Sequence, residues 1–179
     1  MKTKRVIVEK YDPAWQQDFE KIKIEITAAL EGLFIAVEHV GSTAVEGLSA
    51  KPIIDIDVVI EKEELLDKVI ERLHRVGYIH EGNLGIEGRE AFCYENKPFL
   101  KEHHLYVCAK SSQELHRHIT FRDYLRSHPE AVKEYSRVKE EGARRYSDDI
   151  TGYIAFKSEC IQKIYMLCGL VGKHQTESA

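Results

Sequence analysis

The amino-acid sequence predicts an α+β protein, in which a mixed β-sheet flanked by helices is followed by a helical part. β-branched runs alternate with helical spacing over residues 1–110, and helical spacing alone continues over residues 111–172. The 179 residues, 43% hydrophobic and 31% charged, are typical of one folded domain. We therefore expect a single domain over residues 1–172 and a frayed polar tail over residues 173–179.

The elements of the first part follow from local strand and helix signals. Asp12 followed by Pro13 is typical of a helix start, and Gly32 indicates where that helix ends. A second helix is expected over residues 63–75, ended by Gly77. Short apolar runs predict five strands, over residues 5–8, 34–40, 53–60, 90–94 and 103–109.

Three helices are expected after residue 110. Ser111 and Glu114 have the spacing of a capping box, which indicates a helix that ends near Ser127. Pro129 begins the next helix, and the polar cap over residues 147–149 precedes the last one.

Charge and hydropathy exclude several classes of partner. Lys and Arg number 26 against 30 Asp and Glu, which gives a formal net charge of −4 and a pI near 6.1. Nucleic-acid-binding proteins usually carry a basic face, so a small-molecule partner is favoured. The apolar runs are too short to span a membrane and the N-terminus has no signal-peptide pattern, so we expect a cytoplasmic protein. The charged run over residues 139–141 indicates a solvated helix surface.

Two carboxylates on one strand are the clearest candidates for chemistry. Side chains alternate across a strand, so Asp55 and Asp57 share one face, with Cα atoms about 6.5–7 Å apart. Carboxylates this close repel each other unless a cation or a shared proton resolves the conflict. Aspartate is disfavoured inside strands, so a divalent-ion site is favoured over the alternative of a solvated edge strand.

A glycine turn precedes these carboxylates. Gly41 allows close approach of the backbone, and the N–H groups and hydroxyls of Ser42 and Thr43 suit phosphate oxygens. A phosphate grip followed by paired carboxylates is the outline of metal-assisted phosphoryl or nucleotidyl transfer. The sequence contains neither a Walker A loop nor the glycine pattern of a dinucleotide-binding fold.

The segment His39-Val-Gly-Ser-Thr, followed by Gly47-Leu-Ser-Ala-Lys-Pro-Ile-Ile-Asp-Ile, resembles the signature of the GrpB family. Further matches lie over residues 11–15, 104–107 and 121–126, and at Tyr135, Lys139, Tyr153 and Lys157. The resemblance covers nearly the whole chain and implies a fold similar to that of the nucleotidyltransferase superfamily. Related domains occur fused to dephospho-CoA kinases, which implies nucleotide or coenzyme A metabolism by association.

The resemblance also implies a site in which a Gly-Ser helix start is paired with an Asp-x-Asp strand and a third carboxylate on a neighbouring strand. The first two features are matched by Gly41, Ser42, Asp55 and Asp57. At the third position the family has His-x-His, where this chain keeps His104 and has Tyr106. We therefore expect Asp55, Asp57 and His104 to bind Mg²⁺ or Mn²⁺, with the two aspartates as catalytic residues.

Four further side chains are expected to contact a nucleotide. Lys51 lies at the entrance to the carboxylate strand and could approach a phosphate or simply neutralise the acidic pair. The fork-shaped guanidinium of Arg122 suits phosphate. Tyr153 and Lys157, one helical turn apart, could frame a base and its phosphates. His118 shows no ligand spacing and is expected on the surface.

These expectations define a leading hypothesis and two alternatives. The leading one is a metal-dependent nucleotidyltransferase that acts on a nucleoside triphosphate and a small-molecule acceptor. The first alternative is a non-catalytic module that binds a nucleotide or a coenzyme A-related compound on the same fold. The second is a metal-dependent phosphohydrolase, which would release phosphate or pyrophosphate without an acceptor.

Overall fold

The computed structural model of the chain describes residues 5–170. Its strands are β1 Ala36–Val40, β2 Ile54–Ile60, β3 Ile79–Gly82, β4 Glu90–Cys93 and β5 His103–Ala109. Its α-helices are α1 Ala14–Ala29, α2 Leu66–Arg75, α3 Gln113–Ser127, α4 Pro129–Arg145 and α5 Ile150–Leu167. Short 3-10 turns cover Ser42–Ala44 and Glu63–Leu65. This arrangement confirms the predicted α+β class.

The strands form one mixed sheet in the order β1-β2-β5-β4-β3. β2 and β5 run parallel, whereas the other neighbouring strands pair antiparallel. The register of β2 and β5 places Asp55 opposite His104 and Asp57 opposite Tyr106. These four side chains therefore lie on one face of two adjacent strands in the interior of the sheet.

The opposite face of β2 is buried against α1 and α2. Ile54, Ile56 and Val58 have no exposed surface and pack in one cluster with apolar residues of both helices. The contribution of α1 repeats at helical spacing and consists of Trp15, Phe19, Ile22 and Ile26. Because side chains alternate along a strand, filling this core directs Asp55 and Asp57 to the other face of the sheet.

The C-terminal helices cover the polar face of β2. α3 contacts β1 and β5, and its Leu115 packs against Val59 and Cys108. α4 and α5 pack against each other, and the loop that follows the Ser42–Ala44 turn enters their apolar cluster through Leu48. No helix within residues 5–170 combines the length and the apolar character that crossing a membrane requires.

The first predicted strand is wrong. Residues 5–8 pair with no strand, and Val6 N instead donates a hydrogen bond to Ser147 O over 2.7 Å. The neighbouring Glu9 forms an isolated bridge with Ala50. The N-terminal segment is thus held by the loop before α5 and by the loop before β2.

Two further differences concern local signals. The sequence does not predict β3, whose four residues, Ile79–Gly82, are short, polar and partly exposed at the sheet edge. The cap of α3 is Ser112 rather than Ser111, because Ser112 Oγ accepts the hydrogen bond from Leu115 N over 3.2 Å. The predicted frayed tail over residues 173–179 lies outside the described residues.

Candidate active site

A cavity of about 210 Å³ lies between the polar face of β2 and the C-terminal helices. The predicted site residues that line it are Gly41, Ser42, Thr43, Lys51, Asp55, His104, Tyr153 and Lys157. The structure therefore brings eight of the ten predicted residues to one place. The other two, Asp57 and Arg122, are not in the cavity wall.

The turn after β1 takes its shape from Gly41. Its φ of +72° lies in the left-handed region, and a Cβ added there would collide with Asp55 Oδ2. Glycine therefore allows the turn to lie directly against that carboxylate. Thr43 stabilises the turn through two hydrogen bonds of its hydroxyl, which donates to Ile53 O over 3.4 Å and accepts from His39 Nε2 over 2.9 Å.

Asp55 is the carboxylate that faces the cavity. One third of its side chain is exposed, and His104 Nδ1 donates a hydrogen bond to its Oδ1 over 3.0 Å. The His104 side chain is about half exposed. Together the pair presents a carboxylate and an imidazole at the cavity surface.

Asp57 lies on the same strand face, yet it is sealed beneath α3. It has no exposed surface, and His118 Nδ1 donates a hydrogen bond to its Oδ2 over 2.6 Å. The other oxygen, Oδ1, is buried and has no hydrogen-bond partner among residues 5–170. The two aspartates therefore share a face, as predicted, but differ completely in their access to the cavity.

His118 lines the cavity and lies at the centre of a largely buried ion network, with 19% of its side chain exposed, so its predicted surface position is wrong. Its Nε2 donates to Glu114 Oε1 over 3.0 Å, and Arg117 binds the same carboxylate. Both ring nitrogens face carboxylates, which holds the ring as an imidazolium. Burial alone would lower the pKa of His118, but the hydrogen bonds to Asp57 and Glu114 outweigh it and raise the pKa to about 9.

Ammonium groups from three segments converge beside the turn. Lys139 on α4 donates hydrogen bonds to Ser42 Oγ and, over 3.2 Å, to Ser49 O. Lys157 on α5 and Lys51 before β2 lie near the ring of Tyr153, with Nζ 5.0 Å and 5.3 Å from its centroid. Lys139 and Lys157 are almost completely buried. The predicted solvated surface over residues 139–141 is therefore wrong at Lys139.

Burial changes the acid–base behaviour of these lysines. It lowers the pKa of Lys139 well below the ordinary lysine value, and the nearby charge of Lys157 lowers it further. Burial and the charge of Lys51 lower the pKa of Lys157 to about 8, although Asp55 opposes this shift. A bound anion would favour the charged forms of these lysines and raise their pKa again.

On β5, where the family resemblance implies a third carboxylate, the residues opposite Asp55 and Asp57 are His104 and Tyr106. Burial raises the pKa of the Tyr106 phenol to about 12. The guanidinium of Arg89 lies 4.2 Å from the centroid of the Tyr106 ring and also lines the cavity. This end of the cavity is therefore aromatic and cationic rather than acidic.

The predicted metal ligands can be judged from this geometry. Asp55 and His104 lie together at the cavity surface, whereas Asp57 is enclosed and bonded to His118. Within residues 5–170, no three His, Cys, Asp or Glu side chains converge into a metal-binding group. The chain therefore offers two ligands, and substrate phosphates would have to supply others. These residues suit an ion that arrives with a phosphorylated substrate, and not one held by the protein alone.

Arg122 lies on the far side of the turn from the cavity. Its Nη1 donates to Glu38 Oε2 over 2.7 Å and to His39 O over 3.0 Å, while Nε donates to Asp123 Oδ1 over 2.9 Å. The side chain is buried and joins α3 to β1. The structure thus places Arg122 in an internal ion pair and not beside the predicted phosphate site.

The sequence predicts solvated positions for Lys139 and His118, although Lys139 is among the family matches and each residue has a spacing that indicates a buried position. Lys139 lies one helical turn after Tyr135, which is completely buried, so both belong to the inner face of α4. His118 lies one helical turn after Glu114, and that spacing allows the ion pair that the structure shows. Either spacing identifies a buried position only when the packing of the helix against the sheet is known.

The mixed sheet, the Gly-Ser turn and the Asp-x-Asp strand define a protein with a nucleotidyltransferase-like fold. The Cid1 poly(U) polymerase bound to MgATP has this fold: it aligns with a TM-score of 0.56 and 10% identity, over 76% of this chain and 45% of that one. The chain belongs to the GrpB family, because a family model described as GrpB protein matches residues 5–166. The resemblance seen in the sequence is confirmed.

Relatives of this chain agree with that assignment. The crystal structure of conserved protein GrpB from Enterococcus faecalis is 34% identical, with a TM-score of 0.76 over 90% of this chain and 98% of that chain. Glutamate-rich protein GrpB of Alkalihalophilus pseudofirmus is 33% identical, over 89% of this chain and 93% of that protein.

Other relatives are longer than the region they share with this chain. UPF0157 protein YqkA of Bacillus subtilis is 33% identical over 85% of this chain, which spans 44% of its length. A dephospho-CoA kinase of Mycolicibacterium paratuberculosis is 25% identical over 86% of this chain, which again spans 44% of its length. The shared region is therefore less than half of either protein.

Proposed function

We propose that the chain binds a nucleoside triphosphate in this cavity and transfers its nucleotidyl group to a small-molecule acceptor. The observation that carries the proposal is the convergence of Lys51, Lys139 and Lys157 beside the Gly-Ser turn, across from the carboxylate of Asp55. Ammonium groups on one wall suit a polyphosphate, and a carboxylate on the other wall suits a proton transfer. The nucleotidyltransferase-like fold supports the proposal at the level of architecture.

Binding would begin at the turn. The hydroxyl of Ser42 and the N–H groups that follow Gly41 would donate to phosphate oxygens, and Lys139, already bonded to Ser42, would lie beside the same oxygens. Lys157 and Lys51 would neutralise the remaining phosphate charge. A bound anion raises the pKa of nearby lysines, so triphosphate binding should be accompanied by proton uptake.

The transfer step would use the open carboxylate. The oxygen of an acceptor hydroxyl would form a bond to the α-phosphorus, and the bond from that phosphorus to the oxygen bridging to the β-phosphate would break. Asp55 would take the hydroxyl proton, while the lysines would stabilise the negative charge on the departing pyrophosphate. The hydrogen bond from His104 to Asp55 Oδ1 would keep the carboxylate oriented for that role.

Mg²⁺ or Mn²⁺ enters this proposal as part of the substrate, in a metal–nucleotide complex. Asp55 and His104 would supply an oxygen and a nitrogen to that ion from the chain. Its chemistry would be to spread the charge that develops on the phosphates during transfer.

A second candidate is a binding module without catalysis, and specific observations favour it. Asp57 has no exposed surface, and β5 presents His104 and Tyr106 where the family resemblance implies a third carboxylate, so the chain lacks the acidic cluster that such a transferase would need. One relative is named as a dephospho-CoA kinase, which makes coenzyme A precursors reasonable ligands for such a module.

Thermal unfolding against nucleoside triphosphates, coenzyme A and its precursors, each with and without Mg²⁺ or Mn²⁺, tests both candidates. A ligand at 100 times its Kd should stabilise the protein by about 2.7 kcal/mol. For the transferase we expect a metal-dependent shift with triphosphates, together with pyrophosphate release that requires an acceptor and disappears in Asp55→Asn. A shift without turnover would favour the binding module, and release without an acceptor would indicate hydrolysis. No shift with any compound would contradict both candidates.

A further inference from the structure

Asp57 is one of the two predicted metal-binding aspartates, but its surroundings give it a different role. We infer that His118 supplies the positive charge that Asp57 needs, so that the cavity takes its metal–nucleotide substrate with one divalent ion rather than two. The number of ions rests on the proposed function, whereas the pairing of Asp57 with His118 does not. In this role His118 is a positioning residue that keeps Asp57 from acting as a metal ligand.

The first argument is the closed charge balance around Asp57. His118 bonds Asp57 on one side and Glu114 on the other, and Arg117 completes the network at Glu114. Two cations therefore face two carboxylates inside a region from which solvent is largely excluded. A divalent ion at Asp57 would either lie beside the imidazolium, which is strongly unfavourable at low dielectric constant, or replace its charge with release of a proton and loss of the hydrogen bond to Asp57.

The second argument compares the two residue pairs that face each other across β2 and β5, which we call the outer level (Asp55 and His104) and the inner level (Asp57 and Tyr106). At the outer level, Asp55 faces His104, and both groups can bind a divalent ion. At the inner level, Asp57 faces Tyr106, whose neutral phenol is a poor ligand for Mg²⁺. Donors suited to a divalent ion therefore lie at the outer level.

One observation would favour a second ion at Asp57, and the experiment below is designed around it. Asp57 Oδ1 is buried without a hydrogen-bond partner among the described residues, and a second ion would have to bind there. Asp57 has no exposed surface and takes no part in the cavity wall. Its partner His118 does line the cavity, so an ion could reach Oδ1 only if the His118 side chain or α3 moved away.

Counting bound Mn²⁺ by electron paramagnetic resonance tests the inference, first with Mn²⁺ alone and then with a non-hydrolysable nucleoside triphosphate. The matched variants are Asp55→Asn and Asp57→Asn, two residues apart on one strand face. We expect one ion per chain with the analogue, and a Kd for Mn²⁺ that Asp57→Asn leaves within about twofold. Asp55→Asn should weaken Mn²⁺ at least about tenfold, since even outer-shell changes have effects of that size.

Two ions per chain in the wild type, no bound ion in either condition, or loss of Mn²⁺ binding in Asp57→Asn would each overturn the inference. If Asp57→Asn fails to fold, His118→Lys keeps a cation at this position and should keep the count at one. An analogue that gives no thermal shift would remove the nucleotide proposal and the ion count with it. The pairing of Asp57 with His118 would still be tested by stability, because Asp57→Asn should lower the urea midpoint more than Asp55→Asn does.

Discussion

The two walls of the cavity carry opposite charges and bury them to different degrees. The sheet wall presents Asp55 beside His104, and both side chains are open to the cavity. The helix wall presents Lys139 and Lys157, of which only 4% and 3% of the surface is exposed. Burial lowers the pKa of both lysines and a bound anion would raise it again, so the helix wall is the one that suits an anionic ligand. On the sheet wall, by contrast, Asp55 and His104 are exposed and can exchange protons with a bound ligand.

The largest expected effect separates the two aspartates of the sheet wall. Asp57→Ala would leave the His118 imidazolium with Glu114 alone and an unfilled space beneath α3, so we expect the free energy of unfolding to fall by roughly 3 kcal/mol. Asp55→Ala removes a partly exposed pair, and its effect should be about 1 kcal/mol or less. Urea denaturation of both variants measures the difference. Equal losses would show that the two carboxylates do not differ in burial.

A change at Lys139 should affect binding more than stability. Lys139→Met removes a buried amine together with its hydrogen bonds to Ser42 Oγ and Ser49 O, and because these two effects oppose each other we expect the free energy of unfolding to change by about 1 kcal/mol or less. Its Kd for a nucleoside triphosphate should rise roughly 10- to 150-fold, which corresponds to losing one charge-assisted hydrogen bond. Lys133→Met, on the exposed face of the same helix, is the control and should leave the Kd unchanged. Isothermal titration calorimetry would contradict the assignment if both variants bound alike.

His118 should give the stability of the protein a pH dependence. Its pKa of about 9 in the folded state exceeds the ordinary 6.5, so its contribution is complete below pH 6.5 and is lost as the pH rises through 9. Lys157 acts in the opposite sense, because its folded pKa of about 8 lies below 10.5. The difference between wild type and His118→Gln therefore isolates the histidine.

We expect that difference in the free energy of unfolding to shrink by up to about 1.4 kcal/mol per pH unit between pH 6.5 and 9. Urea midpoints measured across this range provide the test. A constant difference would mean that His118 is not held as an imidazolium between Asp57 and Glu114.

The smallest expected effect on binding concerns Arg122, which lies outside both walls. Arg122→Gln breaks the link from α3 to Glu38 and His39 O, so the free energy of unfolding should fall by about 1–3 kcal/mol. The Kd for a triphosphate should stay the same, because the side chain does not reach the cavity. A clear rise in the Kd at unchanged stability would restore Arg122 to the phosphate site.

The sheet wall could be predicted from the sequence because alternation along a strand is a local property. The strand predicted over residues 53–60 matches β2, Ile54–Ile60, within one residue, and its period places Asp55 and Asp57 on one face. The period does not say how far along that face a helix extends. Whether α3 covers Asp57 depends on long-range packing, so the sealing of that carboxylate could not be inferred.

The helix wall could be predicted only in part, for the same reason. The family resemblance covered Lys139, Tyr153 and Lys157, but charged residues on helices are usually solvated, and on that ground Lys139 and His118 were expected at the surface. The error at Arg122 has a chemical origin. A guanidinium suits a phosphate and a carboxylate equally well, and the structure provides the carboxylate of Glu38.

The most direct test of the proposal that the helix wall binds a polyphosphate is calorimetric titration with a non-hydrolysable nucleoside triphosphate and Mg²⁺. The wild type is compared with the double variant Lys139→Met/Lys157→Met at one pH and ionic strength. We expect saturable one-to-one binding by the wild type and a Kd at least about a hundredfold higher in the double variant. Equal affinity in the two proteins, or no binding by the wild type, would contradict the assignment of this cavity to a nucleotide.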